Sequence, residues 1–325
     1  MTRQEFKRDV GNMPKKQEKS HACEQQGLVI SYYGSTVSVE TADGKVIPCH
    51  LRRNQGLPVV GDEVLWRPED GDVSGIVLSI LPRRTMLARG DLRGGTSSIK
   101  PLAANIDLLV IVMAPQPGVS VHLLDRYLVA AELLGISPVL VINKCDLLDA
   151  AARTELDAQL TPYRNIPYPV VFSSVRTEGG LLELTNVLRG KRGVLVGPSG
   201  VGKSSLITAL GSEEDIRVGD VTPKGGGKHT TTATRFYHLE GGGALIDSPG
   251  VREFNLWPIT KAEVLLGFRE FQDYLSGCKF RDCTHAVEPG CAVQQAVADG
   301  RISPERFKGY QELLKTSIQP NDQYK

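Results

Sequence analysis

The sequence predicts an α/β fold: a mostly parallel, three-layer sheet with a small β-barrel before it and a compact helical metal-binding module after it. Three observations lead there. Apolar runs of strand length alternate with helical segments between about Leu102 and Trp257. Short alternating runs with turn signals precede them, from Gln26 to about Arg93. Three cysteines and a histidine gather within fourteen positions near the C-terminus.

The first element is an arm. Residues 1–20 hold six Lys/Arg (Arg3, Lys7, Arg8, Lys15, Lys16, Lys19) against Glu5, Asp9 and Glu18, with almost no apolar periodicity. Residues 1–25 therefore read as a disordered basic arm, whose charge is hidden in a net charge of only +1. It lacks the apolar core of a signal peptide, and no later stretch approaches the ~20 apolar residues of a membrane span. A soluble, cytoplasmic, monomeric protein without membrane partners is expected.

Residues 26–100 are read as the barrel. Gly27–Ser31, Thr36–Glu40, Lys45–His50 and Asp62–Trp66 alternate apolar and polar positions, and Asp43-Gly44 is a favoured hairpin turn. Short strands at this spacing suggest an OB-type barrel, a common nucleic-acid-binding form. Beyond it Arg83, Arg84, Arg89, Arg93 and Lys100 are opposed only by Asp91 in a Gly/Ser-rich stretch. A solvated linker and an RNA contact are both open readings, and the neighbouring barrel and basic arm favour RNA.

Residues 101–257 carry the α/β alternation. Strands are expected at Asp107–Ala114, Val139–Asn143, Val170–Ser173, Val194–Gly197, Arg235–Leu239 and Ala244–Asp247, with helices such as Leu123–Leu134 and Leu181–Leu188 between them. The run Gly197-Pro198-Ser199-Gly200-Val201-Gly202-Lys203-Ser204 matches G-x-x-x-x-G-K-S/T between a buried strand and a helix, with Ser205 next in the helix. Such glycines let backbone N–H groups converge on phosphate oxygens at a helix N-terminus. Lys203 is then placed to reach the β- and γ-phosphates, and the Ser204 hydroxyl to hold Mg²⁺.

Asn143-Lys144-Cys145-Asp146 follows an apolar strand, at the sheet edge where ligands bind. The Asp146 carboxylate can accept from both the ring N1–H and the exocyclic amine of guanine, and adenine offers neither donor there. At about 1.5–3 kcal/mol per charge-assisted hydrogen bond, a roughly hundredfold preference for guanine follows. Asn143 is expected to tie this loop to the phosphate loop, the Lys144 stem to cover the base, and Ser173 and Ser174 to close over it from behind. Asp247-Ser248-Pro249-Gly250 reads as D-x-x-G, with Asp247 organising Mg²⁺ through water and the Gly250 N–H sensing the γ-phosphate. Between them Gly225-Gly226-Gly227 precedes His229 and three threonines, Thr230, Thr231 and Thr232. One threonine is the natural switch I ligand for Mg²⁺; the sequence does not choose, and Thr231 stands for the three below. The two strings together indicate GTP, and their order, N-K-x-D first, indicates a circularly permuted P-loop GTPase domain.

Residues 258–325 contain Cys278, Cys283, His285 and Cys291, spaced C-x₄-C-x-H-x₅-C. Four soft donors in a cytoplasmic chain match a closed Cys₃His zinc site, a structural one because no coordination position is left open. Ser303-Pro304 reads as an N-cap followed by proline at the first helical position. The remaining cysteines read as ordinary thiols.

A permuted GTPase domain between a small barrel and a Cys₃His module resembles the RsgA (YjeQ) family of small-subunit-dependent GTPases. The likeness spans nearly the whole chain except the arm, and rests on residues 143–146, 197–204, 229–232, 247–254 and the four metal donors. It implies an OB-fold contacting 16S rRNA, GTP hydrolysis to GDP stimulated by the 30S subunit, and a role in late 30S maturation. It also implies a catalytic part for His229 beside Lys203, against the alternative of a solvent-exposed loop histidine. Many GTPases place a water-orienting glutamine just after D-x-x-G; this chain has Val251, so slow turnover without a partner is expected. Partner activation of GTPases reaches about 10³–10⁵ in rate. The competing reading is a nucleotide-gated RNA-binding factor with little turnover.

Overall fold

A computed structural model describes residues 23–52, 56–69, 73–91, 98–212, 234–247 and 259–317. Most of the basic arm, Arg93, His229, Thr231, Gly250 and Val251 lie outside the described residues.

The chain begins with five barrel strands: β1 (Gln25–Tyr32), β2 (Thr36–Thr41), β3 (Val46–Leu51), β4 (Glu63–Glu69) and β5 (Ser74–Ile80). β1 pairs with both β2 and β4, and β5 lies between β3 and β4, so the sheet closes on itself in the order β1-β2-β3-β5-β4. Val29, Val37, Val39, Cys49, Val64, Trp66 and Val77 fill the interior from alternate positions. β5 escaped the sequence reading, because Gly75 and the run Ile76-Val77-Leu78 break its two-residue alternation.

The stretch read as a linker or RNA contact is in part a hairpin, β6 (Met86–Asp91) with β7 (Ser98–Ala104). A bulge at Leu87/Ala88 breaks its period, which hid it in the sequence. Two of its cations also have internal partners. The Arg83 guanidinium donates to both oxygens of the fully buried Asp62, at 2.7 and 2.8 Å, and to Leu57 O. Asp62 also accepts from the Val59 N–H, and its bonds to Arg83 hold that guanidinium's pKa above its ordinary value. Arg84 donates to Asp107 at 3.0 Å. Arg83 thus ties the barrel to the connection that follows it, and Arg84 ties that connection to Asp107 ahead of β8, internal partners that the sequence reading did not give them.

The α/β unit follows: β8 (Leu108–Met113), α1 (Val121–Leu134), β9 (Ser137–Ile142), α2 (Ala150–Arg164), β10 (Val170–Phe172), α3 (Leu182–Leu188), β11 (Arg192–Val196), α4 (Lys203–Leu210), β12 (Arg235–His238) and β13 (Ala244–Asp247). Expected strands and helices recur here with ends shifted by one or two residues. The sheet order is β10-β9-β8-β11-β13-β12, parallel except for β12. Leu109, Ile111 and Met113 of β8 face α1 and α2, whereas Val110 and Val112 face α3 and α4. That two-sided burial is why the strands read as continuous apolar runs. β1 of the barrel extends the same sheet beyond β12 through the pair Ser31↔Arg235. Glu40 of β2 meets His238 of β12 at 2.9 Å.

The C-terminal module comprises α5 (Lys261–Gly267), a 3-10 stretch (Arg269–Gly277), α6 (Ala292–Ala298) and α7 (Pro304–Thr316). Thr260 and Glu263 form a capping box on α5, and Ser303 caps α7 with Pro304 at its first turn. Phe268, Phe271 and Tyr310 pack edge to face or tilted with centroids 5.0–5.2 Å apart, and α1 contributes Val129 to this core. Arg306 of α7 is 1% exposed and runs into the interface. It donates to Asp125 of α1 and to Glu270, with Nε–Oε1 at 2.7 Å, and lies 4.4 Å over the Phe268 ring. Tyr163 donates to the same Asp125 carboxylate at 2.9 Å.

Removing one partner of a buried, hydrogen-bonded ion pair leaves the other charge stranded, at a cost of about 3–5 kcal/mol. Arg306→Ala should therefore lower the unfolding free energy by about that amount. The shift in denaturant midpoint checks it, and an unchanged midpoint contradicts the role given to Arg306.

Candidate nucleotide site and metal centre

Strand ends supply the site. β11 delivers Val196 into the loop Gly197–Gly202, and α4 begins at Lys203. Gly197 has φ +138°, and a Cβ there falls 2.1 Å from the Val112 carbonyl oxygen of β8, so only glycine fits. Gly202 has φ +96°, and its Cβ would stand 2.5 Å from Asn143 Nδ2. The Lys203 ammonium is nearly buried and donates to the carbonyls of Gly197 (2.6 Å) and Pro198 (2.7 Å). Ser199, Gly200, Ser204 and Ser205 are exposed around the loop mouth.

β9 brings the second loop to the same edge. Asn143, 1% exposed, donates through Nδ2 to Val201 O at 2.9 Å, joining the two loops directly. Lys144 takes a left-handed conformation, and its ammonium reaches Gly200 O at 2.6 Å. Asp146 sits in a single 3-10 turn, Cys145–Leu147. Ser174 Oγ donates to Asp146 Oδ1 at 2.6 Å and itself accepts from the Arg176 N–H. Ser173 Oγ donates to Asn143 Oδ1 at 3.2 Å. Both serines are buried and orient the Asn and Asp side chains, a different task from closing over a base.

Two clefts meet here. One of about 400 Å³ opens over Ser199, Gly200, Lys203 and Ser204, and one of about 330 Å³ over Asn143, Asp146 and Leu147; Lys144, Gly202 and Ser205 line both. The second is also lined by Gln116, Val175 and Arg176, which the sequence reading missed. Val175 and Arg176 could have been found as the residues right after Ser173-Ser174; Gln116, on the β8–α1 connection, carries no motif. Asp247 ends β13, which runs parallel to β11 and opens on the same edge. A larger concavity, about 660 Å³, lies against the C-terminal module near Tyr274 and Arg301, away from both loops.

The four expected metal donors converge. Cys278 closes the 3-10 stretch, Cys291 caps α6, and the ligating atoms of these two with Cys283 and His285 lie within 4.8 Å of one another. His285 Nδ1 stands 3.4 Å from both Cys278 Sγ and Cys291 Sγ. Tetrahedral zinc with Zn–S near 2.3 Å and Zn–N near 2.0 Å separates such atoms by about 3.6 Å, so the cluster fits that ion. Burial pushes the Cys283 thiol up to about 12, a cost that a divalent cation among the sulfurs reverses. The Glu288 carboxylate accepts from the Thr284 hydroxyl and the N–H groups of Thr284, Ala286 and Val287. Those bonds hold its pKa down to about 2 and shape the loop that carries His285.

Residues 80–257 match the family model described as RsgA GTPase. The chain belongs to the RsgA family. The small ribosomal subunit biogenesis GTPase RsgA of Pseudomonas aeruginosa strain LESB58 is 49% identical over 292 residues, 90% of this chain and 85% of that one. The protein of the same name from Photorhabdus laumondii is 46% identical over 316 residues, 95% of this chain and 89% of its own. Among solved structures, YjeQ from Thermotoga maritima superposes with a TM-score of 0.73 at 32% identity, covering 90% of this chain and 98% of that one. YloQ, described as a circularly permuted GTPase, gives 0.71 at 31% identity, over 91% of this chain and 96% of its own. This RsgA-family chain is thus a GTP hydrolase with a circularly permuted domain, and its Cys₃His cluster is compatible with zinc.

Partners that orient metal ligands are typically worth 10–100-fold in affinity. Glu288→Gln should weaken zinc binding about tenfold, read by competition with a zinc indicator. Unchanged affinity would show that the loop is held without that carboxylate.

Proposed function

We propose that this chain acts in late maturation of the small ribosomal subunit, hydrolysing GTP to GDP and phosphate when the 30S particle engages it. The observation that carries the nucleotide reading is the Asn143–Val201 hydrogen bond, which joins the base-binding and phosphate-binding loops into one site. Asp146, oriented by Ser174, recognises the guanine edge, and the Lys144 stem spans from the base cleft to Gly200. The backbone N–H groups of residues 199–205 receive the phosphates, and Lys203 exchanges its loop carbonyls for phosphate oxygens. Ser204, exposed on the first turn of α4, and Asp247, at the end of β13, fit as oxygen donors for Mg²⁺, with Thr231 as the switch I ligand. When bound, Mg²⁺ supplies the positive charge that offsets the phosphate oxygens.

The domain plan is an arm (1–25), a barrel (26–100), the permuted GTPase domain (101–257) and a module (258–325) held by one structural Zn²⁺. The five-stranded barrel and the basic residues Arg89, Arg93 and Lys100 support contact with 16S rRNA. His229 is assigned the task of positioning water once the ribosome orders its loop, with Gly250 sensing the γ-phosphate. Residues 251–258 join that sensor to the module packed on α1, so γ-phosphate loss is transmitted to a whole domain. A monomeric, cytoplasmic protein fits this role; among the described residues no helix is long and apolar enough to cross a membrane.

Turnover with 30S, 50S or 70S particles tests the proposal. Stimulation confined to 30S is expected, reduced in His229→Ala by about a hundredfold, the lower end of the range for general acid–base effects. Equal, slow turnover in all tubes would favour a nucleotide-gated RNA-binding factor instead. Asp146→Asn should lower GTP affinity about a hundredfold. It should raise affinity for xanthosine triphosphate, whose C2 oxygen accepts where guanine donates. Retained guanine preference in a nucleotide competition assay would remove Asp146 from base recognition.

A further inference from the structure

Helix α7 buries one face, Arg306, Gly309, Tyr310 and Leu313, and that face serves two partners. Arg306 grips Asp125 of α1, and Gly309 lies so close to that carboxylate that a Cβ would collide with Asp125 Oδ2. Tyr310, one turn beyond Arg306, is 1% exposed, and its ring packs against Phe268 and Phe271. Its hydroxyl donates to the Thr284 carbonyl at 2.8 Å. Thr284 directly precedes His285, a metal donor whose backbone is left-handed, φ +58°.

A left-handed conformation at a non-glycine residue is strained, and it persists only where the surroundings over-determine it. Here two side chains do so. The Glu288 carboxylate accepts from the N–H groups of Thr284 and Ala286, and Tyr310 donates to the carbonyl that leads into His285. His285 Nδ1 is thereby set 3.4 Å from both Cys278 Sγ and Cys291 Sγ. We infer that α7 couples metal binding to docking of the module on the GTPase domain, with Tyr310 as a positioning residue for His285 and Arg306 as the grip on α1. Metal held by His285 fixes its loop, the loop fixes Tyr310 and the placement of α7, and that placement sets Arg306 against Asp125. By reciprocity, a change at Asp125 alters metal affinity. Close packing makes the link stiff, since Cys291, Tyr310 and Val129 of α1 belong to one buried cluster. The inference rests on the zinc reading of the four donors and adds residues that the donor spacing does not contain.

Tyr310→Phe keeps the ring and removes only the hydroxyl. Zinc affinity of the full chain, measured by competition with a chromophoric chelator, should fall about tenfold, the low end for groups that orient metal ligands. Asp125→Asn, a change on α1 outside the module, should lower it about fivefold, the low end for coupling between sites. With Co²⁺ in place of zinc, the visible absorption bands of Tyr310→Phe should shift, because they report the geometry around His285. Tyr168→Phe is the control, since it removes a buried hydroxyl bonded to Glu132 and leaves the module intact. Unchanged zinc affinity in Tyr310→Phe or in Asp125→Asn overturns the inference, as does an equal loss in Tyr168→Phe, which marks general loosening. Weakened affinity with unshifted Co²⁺ bands overturns the positioning role of Tyr310. An unaltered chain that binds no zinc removes the donor-set reading and the inference with it, whereas zinc held equally tightly by every variant removes the coupling alone.

Discussion

The nucleotide site depends on β8 pairing in parallel with two neighbours at once. Its bonds to β9 and to β11 put the carboxyl ends of those strands one strand apart, although about fifty residues separate them in the chain. Asn143 and the phosphate loop can meet only under that register. Val112 of β8 then does a second job, since its carbonyl crowds the Cα of Gly197 so closely that no side chain fits. β8 has this position because all six of its residues are apolar and buried on both faces, with helices from either side sealing it. The chain leaves β8 for α1 on one face and leaves β11 for α4 on the other. Ligand sites of open α/β sheets form at such a switch point.

The outer parts attach through buried charge. Asp62 and Arg83 bind the barrel to the connection that enters the GTPase domain, and Arg306 binds the C-terminal module to α1 through Asp125 and Glu270. Apolar packing alone tolerates sliding, because dispersion has little directional preference. A guanidinium between two carboxylates accepts only one geometry, which suits a protein whose domains must keep a fixed relation to a nucleotide loop. The arrangement places the module that carries the Cys₃His cluster directly behind α1. Barrel and module attach to the GTPase domain at different elements, β1 beside β12 and α7 beside α1.

Much of this was legible in the residues themselves. The phosphate loop, N-K-x-D and the Cys₃His spacing are local strings whose chemistry needs those residue types within a few positions, so the sequence displays them whole. Uninterrupted apolar runs announced β8, β9 and β11, since a strand buried on both faces has no polar side to blur it. β5 and the β6–β7 hairpin were not legible, because a glycine with a continuous apolar run in the one and a bulge in the other erased the two-residue period. The five cations after the barrel looked alike along the chain. Only the fold separates Arg83 and Arg84, which find Asp62 and Asp107, from the rest.

By itself, then, the sequence determined the ligand class, the metal donors and the order of the domains, because each is written in contiguous or regularly spaced residues. Tertiary structure alone decided that Ser173 and Ser174 orient Asn143 and Asp146, and that Gln116 and Arg176 line the base cleft. Each of those relations joins residues roughly 30 to 90 positions apart or lies on an unmarked loop. A hydrogen bond between distant residues imposes no spacing rule on the chain; it exists only once strand register and helix packing have brought donor and acceptor within about 3 Å.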